Sequence, residues 1–301
     1  MTILVAAAFD DDEWRAWWPR LEAALPGERL VRDRGACDAA DIDIALVANP
    51  PTGALQGLPS LRLIQSLWAG VDTLLADASV PAQVPLARMV DPTMNAAMAE
   101  TALWAVLGLQ RGFFGYAAQQ RAGEWRQHAL QRAEDTRVAV LGLGQMGRCA
   151  VDVFTRQGYR VVGWSTREGD AALPRVLAAA DIVVNLLPLT PATRGLFNAD
   201  TLARMPRGAS LVNLARGAHV VDADLLAALA SGHIAHAVLD VFQTEPLPRG
   251  HAFWSHPRVS VLPHVAAPTD PRSAALIAAA NVHALRDGRP LAHRVDRARG
   301  Y

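Results

Sequence analysis

Residues 137–147 read Arg-Val-Ala-Val-Leu-Gly-Leu-Gly-Gln-Met-Gly, a short apolar run that breaks at once into three glycines spaced GxGxxG. No other stretch of the chain restricts its fold as much. Residues 136–141 suit a strand buried on both faces, and helical spacing resumes over 146–157. Between them Gly142 permits a tight turn, Gly144 lets the backbone approach a pyrophosphate, and Gly147 lets the helix pack close to the strand. Gln145 and Met146 open that helix, whose N-terminal N–H groups favour phosphate. The expectation is a dinucleotide-binding βαβ unit.

The same alternation runs through the rest of the chain. The runs at 2–8, 44–48 and 63–66 read as strands, the first of them wholly apolar after Thr2, and 11–25 reads as a helix with Trp14, Trp17, Trp18, Leu21 and Leu25 on one face. Asn49-Pro50-Pro51 breaks the chain between the second and third runs. A long helical pattern over 93–119 follows. Strand patterns then recur at 160–165, 182–186, 211–213, 237–241 and 259–262, mostly with helical spacing between them. Asp270-Pro271 predicts an N-cap with proline in the first turn of a last helix, ending near Arg286 before Gly288. A chain of 301 residues exceeds one ordinary core. The expectation is an α/β protein with two doubly wound parallel sheets, a small one within 1–90 and a larger one within 100–270.

Composition narrows the function classes. Lys+Arg and Asp+Glu are both 29, so no basic excess points to nucleic acid or to an anionic membrane. The two cysteines, Cys37 and Cys149, lack metal-ligand spacing, so neither a thiolate metal site nor a disulfide framework is expected. The first residues read as a strand rather than a signal peptide, and no uncharged apolar run reaches the roughly 18 residues of a membrane span. A cytoplasmic protein is expected.

The strand after the glycine loop bears on the cofactor. An NAD site usually carries an acidic residue at that strand's end, about 20 residues past the loop, to bond the ribose 2′-hydroxyl. Here Val161-Val162-Gly163-Trp164 runs into Ser165-Thr166-Arg167. Two hydroxyls and a guanidinium suit a 2′-phosphate, so NADP(H) is expected ahead of NAD(H).

Three polar residues stand just beyond three later strands: Arg216, Glu245 and His264. In an open α/β sheet ligands bind beyond the carboxyl ends of the strands, where these side chains could meet. Reducing a keto acid needs a hydride at carbon and a proton at oxygen. His264 is the natural proton donor, Glu245 would hold its other ring nitrogen, and Arg216 would grip a carboxylate and polarise the carbonyl. The chain has nine histidines; position after the last strand, in the company of Arg216 and Glu245, singles out this one.

These residues sit in segments that resemble the D-isomer-specific 2-hydroxyacid dehydrogenases over essentially the full length. The resemblance rests on Gly142-Leu143-Gly144-Gln145-Met146-Gly147, Asn185-Leu186-Leu187-Pro188-Leu189-Thr190-Pro191, Asn213-Leu214-Ala215-Arg216-Gly217, Leu239-Asp240-Val241-Phe242 with Glu245-Pro246, and Pro263-His264-Val265-Ala266. Ala218-His219-Val220-Val221, Phe253-Trp254-Ser255-His256-Pro257 and the terminal Val295-Asp296-Arg297-Ala298-Arg299-Gly300-Tyr301 are similar to the glyoxylate/hydroxypyruvate reductase A group of that family.

The resemblance implies a Rossmann cofactor domain, residues 93–279, inserted into a flavodoxin-like substrate domain made of 1–92 and 280–301. The long helix would serve as a hinge. It implies further that Trp68, Ala69 and Gly70 form a substrate loop whose N–H groups bind the carboxylate, although a tryptophan at 68 is larger than expected. Asp240 would bond the nicotinamide carboxamide, Leu187 and Pro188 would lie near the adenosine, and Trp254 would close the substrate pocket. A homodimer is implied, and no metal. The reading is reduction of small 2-keto acids such as glyoxylate or hydroxypyruvate with NADPH. The alternatives are a reductase of larger acids such as phenylpyruvate, and a non-enzymatic dinucleotide-sensing protein.

Overall fold

The computed structural model describes residues 1–129, 131–169 and 171–301. They form two compact units, Met1–Met94 with Thr269–Tyr301, and Asn95–Pro268.

The first unit carries β1 (Thr2–Ala7), α1 (Asp11–Ala24), β2 (Arg29–Val31), β3 (Ile42–Ala48), β4 (Leu63–Ser66), α2 (Asp72–Ala76), β5 (Leu86–Ala87) and the start of α3 (Pro92–Gln110). Its sheet is parallel throughout, in the order β2-β1-β3-β4-β5, the flavodoxin-like arrangement. Every residue of β3 and β4 is buried; β3 is apolar but for Asp43, as suits a strand covered on both faces, whereas β4 ends in the buried polar pair Gln65 and Ser66. The Asp10 carboxylate caps α1 by accepting from the Glu13 N–H at 2.8 Å, while Glu13 accepts from the Asp10 N–H at 2.9 Å. Trp17 and Leu21 fill the core beneath α1. Trp14 and Trp18, expected on the same face, instead flank the Arg32 guanidinium at 4.4 and 4.3 Å.

The second unit holds α4 (Phe113–Ala122), β6 (Arg137–Leu141), α5 (Gln145–Arg156), β7 (Arg160–Trp164), α6 (Leu173–Ala179), β8 (Ile182–Asn185), α7 (Ala199–Ala203), β9 (Ala209–Asn213), α8 (Asp222–Ala230), β10 (Ile234–Leu239) and β11 (Val259–Val261). The sheet is again all parallel, ordered β11-β10-β9-β8-β6-β7. Winding reverses beside β6, so the glycine loop that follows β6 lies at the topological switch point, where such folds take their ligands. One expected helix becomes two: Gly112, with φ 70°, breaks the 93–119 pattern between α3 and α4.

The final helix α9 (Pro271–Arg286) starts as expected, with the Asp270 carboxylate accepting from the Arg272 N–H at 2.9 Å. It belongs entirely to the first unit, so the chain returns there at Thr269, ahead of the position 280 expected from sequence. Ala274, Ala275, Ala278, Ala279 and Val282 of this helix are buried, and the Ser273 hydroxyl donates to the Asp91 carboxylate of the same unit. Asn281 donates to Gln65 at 2.6 Å, and Arg286 bridges Glu28 at 2.8 Å and Asp43. That ion pair holds the Glu28 carboxyl below its ordinary range.

His236, in β10, stacks on Phe114 with centroids 4.8 Å apart and shares a 3.0 Å hydrogen bond with Ser260. Burial pushes its pKa from 6.5 down to about 4, with His256 and Arg258 adding to the shift. The unfolded chain therefore takes up a proton that the folded one refuses. The stability of the neutral ring is fully present above about pH 6.5 and is lost as pH falls toward 4, a drop on the order of 3 kcal/mol. Thermal unfolding followed between pH 7 and 4 should show a shallower loss of Tm for His236→Gln than for the parent; parallel curves would refute this origin.

Candidate active site

Leu141, Asn185, Asn213, Leu239 and Val261 are paired across the sheet of the second unit, one at the carboxyl end of each of five strands. The glycine loop, the Leu186–Pro188 turn and the segments bearing Arg216, Glu245 and His264 therefore all leave the sheet at one edge. Fold topology alone brings these segments together.

The glycines have distinct reasons to be glycine. Gly142 has φ 102°, and a Cβ there would lie 2.6 Å from the Leu186 carbonyl oxygen. A Cβ on Gly147 would lie 1.8 Å from the Gly142 oxygen, so the close approach of α5 to the end of β6 tolerates no side chain. A Cβ on Gly144 would meet nothing within 4 Å, and as N-cap of α5 Gly144 offers no capping side chain. That open approach to a helix N-terminus fits a dinucleotide pyrophosphate. Gln145 is exposed beside it, whereas the Met146 side chain packs against the core, leaving its main chain for the loop. Leu187 is similar: its side chain is 3% exposed, which leaves only its main chain for contacts beyond the sheet. Pro188 is half-buried at the same edge.

Past β7, Ser165, Thr166 and Arg167 form a short turn at the tip expected to discriminate cofactors, with Thr166 and Arg167 exposed. An acid that the sequence reading overlooked is also there. Glu168 folds back to accept from the Ser165 N–H at 3.1 Å and from its hydroxyl at 3.3 Å. Its signal was the Ser-x-x-Glu capping-box spacing.

Glu245 and His264 meet directly: Glu245 Oε2 lies 2.6 Å from His264 Nδ1. The other carboxylate oxygen accepts from the Phe242 N–H at 2.8 Å, which fixes the rotamer. With Nδ1 held by the carboxylate, Nε2 is the ring nitrogen left for proton transfer. His264 has φ 57°, a left-handed conformation that costs a non-glycine residue on the order of 1–2 kcal/mol. Three hydrogen bonds to Asp240 hold it there. The His264 N–H donates to the Asp240 carbonyl at 2.8 Å, and the Val265 and Ala266 N–H groups donate to its carboxylate at 2.7 and 3.0 Å. Asp240, 1% exposed, is thus the clamp on the histidine turn.

Arg216 follows β9, with Nη1 donating to the Ala215 carbonyl at 2.7 Å. Gly217, which sequence reasoning passed over, locks this loop to the next. A Cβ on Gly217 would sit 1.8 Å from the Phe242 carbonyl carbon. Gly217→Ala should therefore push the Arg216 and Glu245 segments apart. The expected cost is about 1–3 kcal/mol in stability and roughly 10²-fold in kcat/KM. Gly144→Ala, with open space for its methyl, should lower the unfolding midpoint less, through only the poorer N-cap that alanine makes. Equal midpoints for the two variants would contradict the packing argument.

Trp254 lies on the surface of the same unit, 52% exposed, with its indole N–H donating to Pro248 at 3.0 Å. The Trp68-Ala69-Gly70 loop belongs to the first unit, just past β4. The Ser66 hydroxyl accepts from the Trp68 N–H at 3.1 Å and donates to its carbonyl at 3.0 Å. The Trp68 ring packs edge-on against Phe9 and Trp17, with centroids 6.0 and 5.8 Å away. The unexpected bulk at position 68 is thus absorbed by an aromatic cluster of its own unit.

Comparison with known proteins agrees with this architecture. Residues 103–266 match the family described as D-isomer specific 2-hydroxyacid dehydrogenase, NAD binding domain. The chain belongs to the D-isomer-specific 2-hydroxyacid dehydrogenase family. It is 39% identical to the glyoxylate/hydroxypyruvate reductase A of Klebsiella pneumoniae (strain 342), over 95% of this chain and 96% of that protein. A D-isomer specific 2-hydroxyacid dehydrogenase from Xanthobacter autotrophicus Py2, solved with NADPH and MES, superposes with a TM-score of 0.93 at 42% identity, each chain covered in full. An NADPH-dependent glyoxylate/hydroxypyruvate reductase from Sinorhizobium meliloti, solved with NADP and sulfate, gives 0.93 at 33% identity, covering 100% of this chain and 99% of that one. Among the described residues no helix is long and apolar enough to cross a membrane.

Proposed function

We propose that the protein reduces glyoxylate and hydroxypyruvate to their 2-hydroxy acids with NADPH. The observation that carries the reading is the 2.6 Å Glu245–His264 pair at the carboxyl edge of a parallel sheet with a glycine loop at its switch point. A bound NADPH would supply the hydride for the carbonyl carbon. Arg216 binds the substrate carboxylate and polarises the carbonyl. His264 delivers the proton from Nε2 to the carbonyl oxygen as charge builds there, and Glu245 steadies the ring and its positive charge. The imidazole then regains a proton from water. The N–H groups of Ala69 and Gly70 are assigned to carboxylate binding, and Trp254 to shielding the substrate. Gly142, Gly144 and Gly147, with the main chain at Gln145 and Met146, hold the pyrophosphate. Leu187 and Pro188 line the adenosine, and Asp240 orients the nicotinamide amide through the turn it clamps.

Arg167, with Ser165 and Thr166, is assigned to the 2′-phosphate, and Glu168 must release Ser165 for that contact. Loss of one charge-assisted bond of about 1.5–3 kcal/mol should raise KM for NADPH some ten- to hundred-fold in Arg167→Ala and leave NADH nearly unaffected. Equal losses for both cofactors would remove Arg167 from this role. A homodimer in the cytoplasm goes with the reading. Trp104, Phe113 and Trp125, at 44, 52 and 96% exposure, support an interface along α3, α4 and the segment after them.

Initial rates of NADPH oxidation against glyoxylate, hydroxypyruvate, pyruvate and phenylpyruvate test the substrate assignment. The first two should give the highest kcat/KM; preference for phenylpyruvate, or turnover of none, overturns it.

A further inference from the structure

Asn185, Asn213 and His219 are each 0% exposed, and none is needed for the proton transfer described above. Asn185 and Asn213 are register partners at the ends of β8 and β9, and His219 closes the turn after Arg216. Their hydrogen bonds form a chain with a fixed direction. The Asn185 Oδ1 accepts from the Leu187 N–H at 3.2 Å, so its Nδ2 must face Asn213 Oδ1 at 2.9 Å and His219 Nδ1 at 3.0 Å. The Asn213 Oδ1 also accepts from the Ala215 N–H at 3.3 Å, so its Nδ2 donates to the Arg216 carbonyl at 2.9 Å. That carbonyl takes a second bond, from the His219 N–H at 3.2 Å. Both lone pairs of the Arg216 oxygen are then used, although His219 Nδ1 also lies 3.1 Å away. A hydrogen on Nδ1 would set two donors 3.0 Å apart, because the Asn185 amide is already fixed as a donor there. Nδ1 therefore accepts, and Nε2–H donates to the Pro188 carbonyl at 3.3 Å.

We propose that His219 is a positioning residue: as the Nε2–H tautomer it joins the Leu187–Pro188 turn to the Arg216 main chain through Asn185 and Asn213. The idea rests on the role assigned to Arg216 under Proposed function. It goes further by coupling the cofactor-side turn to the substrate-binding arginine through one buried imidazole. Because a fully buried amide donor left unpaired disturbs its neighbours, the arginine should lose its aim when the ring is removed.

Two measurements test this. Nitrogen NMR of the imidazoles in the protein free of cofactor, with the His219 signal assigned by its loss in His219→Leu, should show Nε2 protonated and Nδ1 bare. In kinetics, His219→Leu should raise KM for glyoxylate about tenfold, the equivalent of one unpaired buried donor, with kcat changed less than about threefold. His219→Asn, which returns an acceptor to Asn185, should recover most of that loss. An Nδ1–H tautomer overturns the proposal even if no keto acid is reduced, so it fails separately from the functional reading. An unchanged KM in His219→Leu, or equal defects in the leucine and asparagine variants, overturns it as well.

Discussion

His264→Gln should lower kcat for glyoxylate by about 10²–10⁴-fold, the usual worth of a placed general acid, while the dissociation constant of NADPH stays within about twofold. The asymmetry follows from geometry. The Glu245–His264 contact lies on the segments after β10 and β11, whereas the glycine loop lies after β6. Glutamine keeps much of the volume and a hydrogen-bonding end, but cannot exchange a proton near neutral pH. Glu245→Gln should be impaired less, because the imidazole remains and loses only its carboxylate partner. Initial rates with tryptophan-quenching titration of NADPH separate the two effects. A His264→Gln enzyme that binds NADPH poorly and turns over normally at saturation would move the histidine into the cofactor site.

Arg216→Gln should lower kcat/KM for glyoxylate by about 10²–10⁴-fold, as expected when two charge-assisted hydrogen bonds of about 1.5–3 kcal/mol each are lost. Part should appear as a raised KM, through the carboxylate, and part as a lowered kcat, through the carbonyl. Arg216→Lys should restore only a fraction, since an ammonium ion cannot span carboxylate and carbonyl as a planar fork does. Full recovery with lysine would reduce the role of Arg216 to that of a point charge.

Much of this was legible in the sequence for physical reasons. Buried parallel strands are largely apolar runs, and β3, β6, β8 and β9 could be read directly on that ground, as could β4 despite its buried Gln65 and Ser66. The edge strands β2 and β5 could not, because Arg29–Val31 and Leu86–Ala87 are too short to show periodicity. The pairing of Glu245 with His264 followed from their places after successive strands. What holds them was less visible. Asp240 matches a family position, yet its grip on the backbone of Val265 and Ala266 depends on the left-handed turn at His264, which no local pattern announces. Gly217 looked like an ordinary loop glycine until its contact with Phe242 was known. Asn185 and Asn213 stood inside recognised segments, but their bond to one another is a matter of strand register.

The central claim is that the Glu245–His264 pair acts as one unit that protonates a small keto acid while NADPH is oxidised. The direct measurement is single-turnover oxidation of enzyme-bound NADPH on mixing with saturating glyoxylate, followed by loss of nicotinamide fluorescence, in the parent, Glu245→Gln, His264→Gln and the double variant. The parent should oxidise its bound NADPH in one fast phase, Glu245→Gln more slowly and His264→Gln more slowly still, with the double variant no slower than His264→Gln alone. Parent enzyme that leaves NADPH unoxidised, or a His264→Gln protein as fast as the parent, would contradict the account.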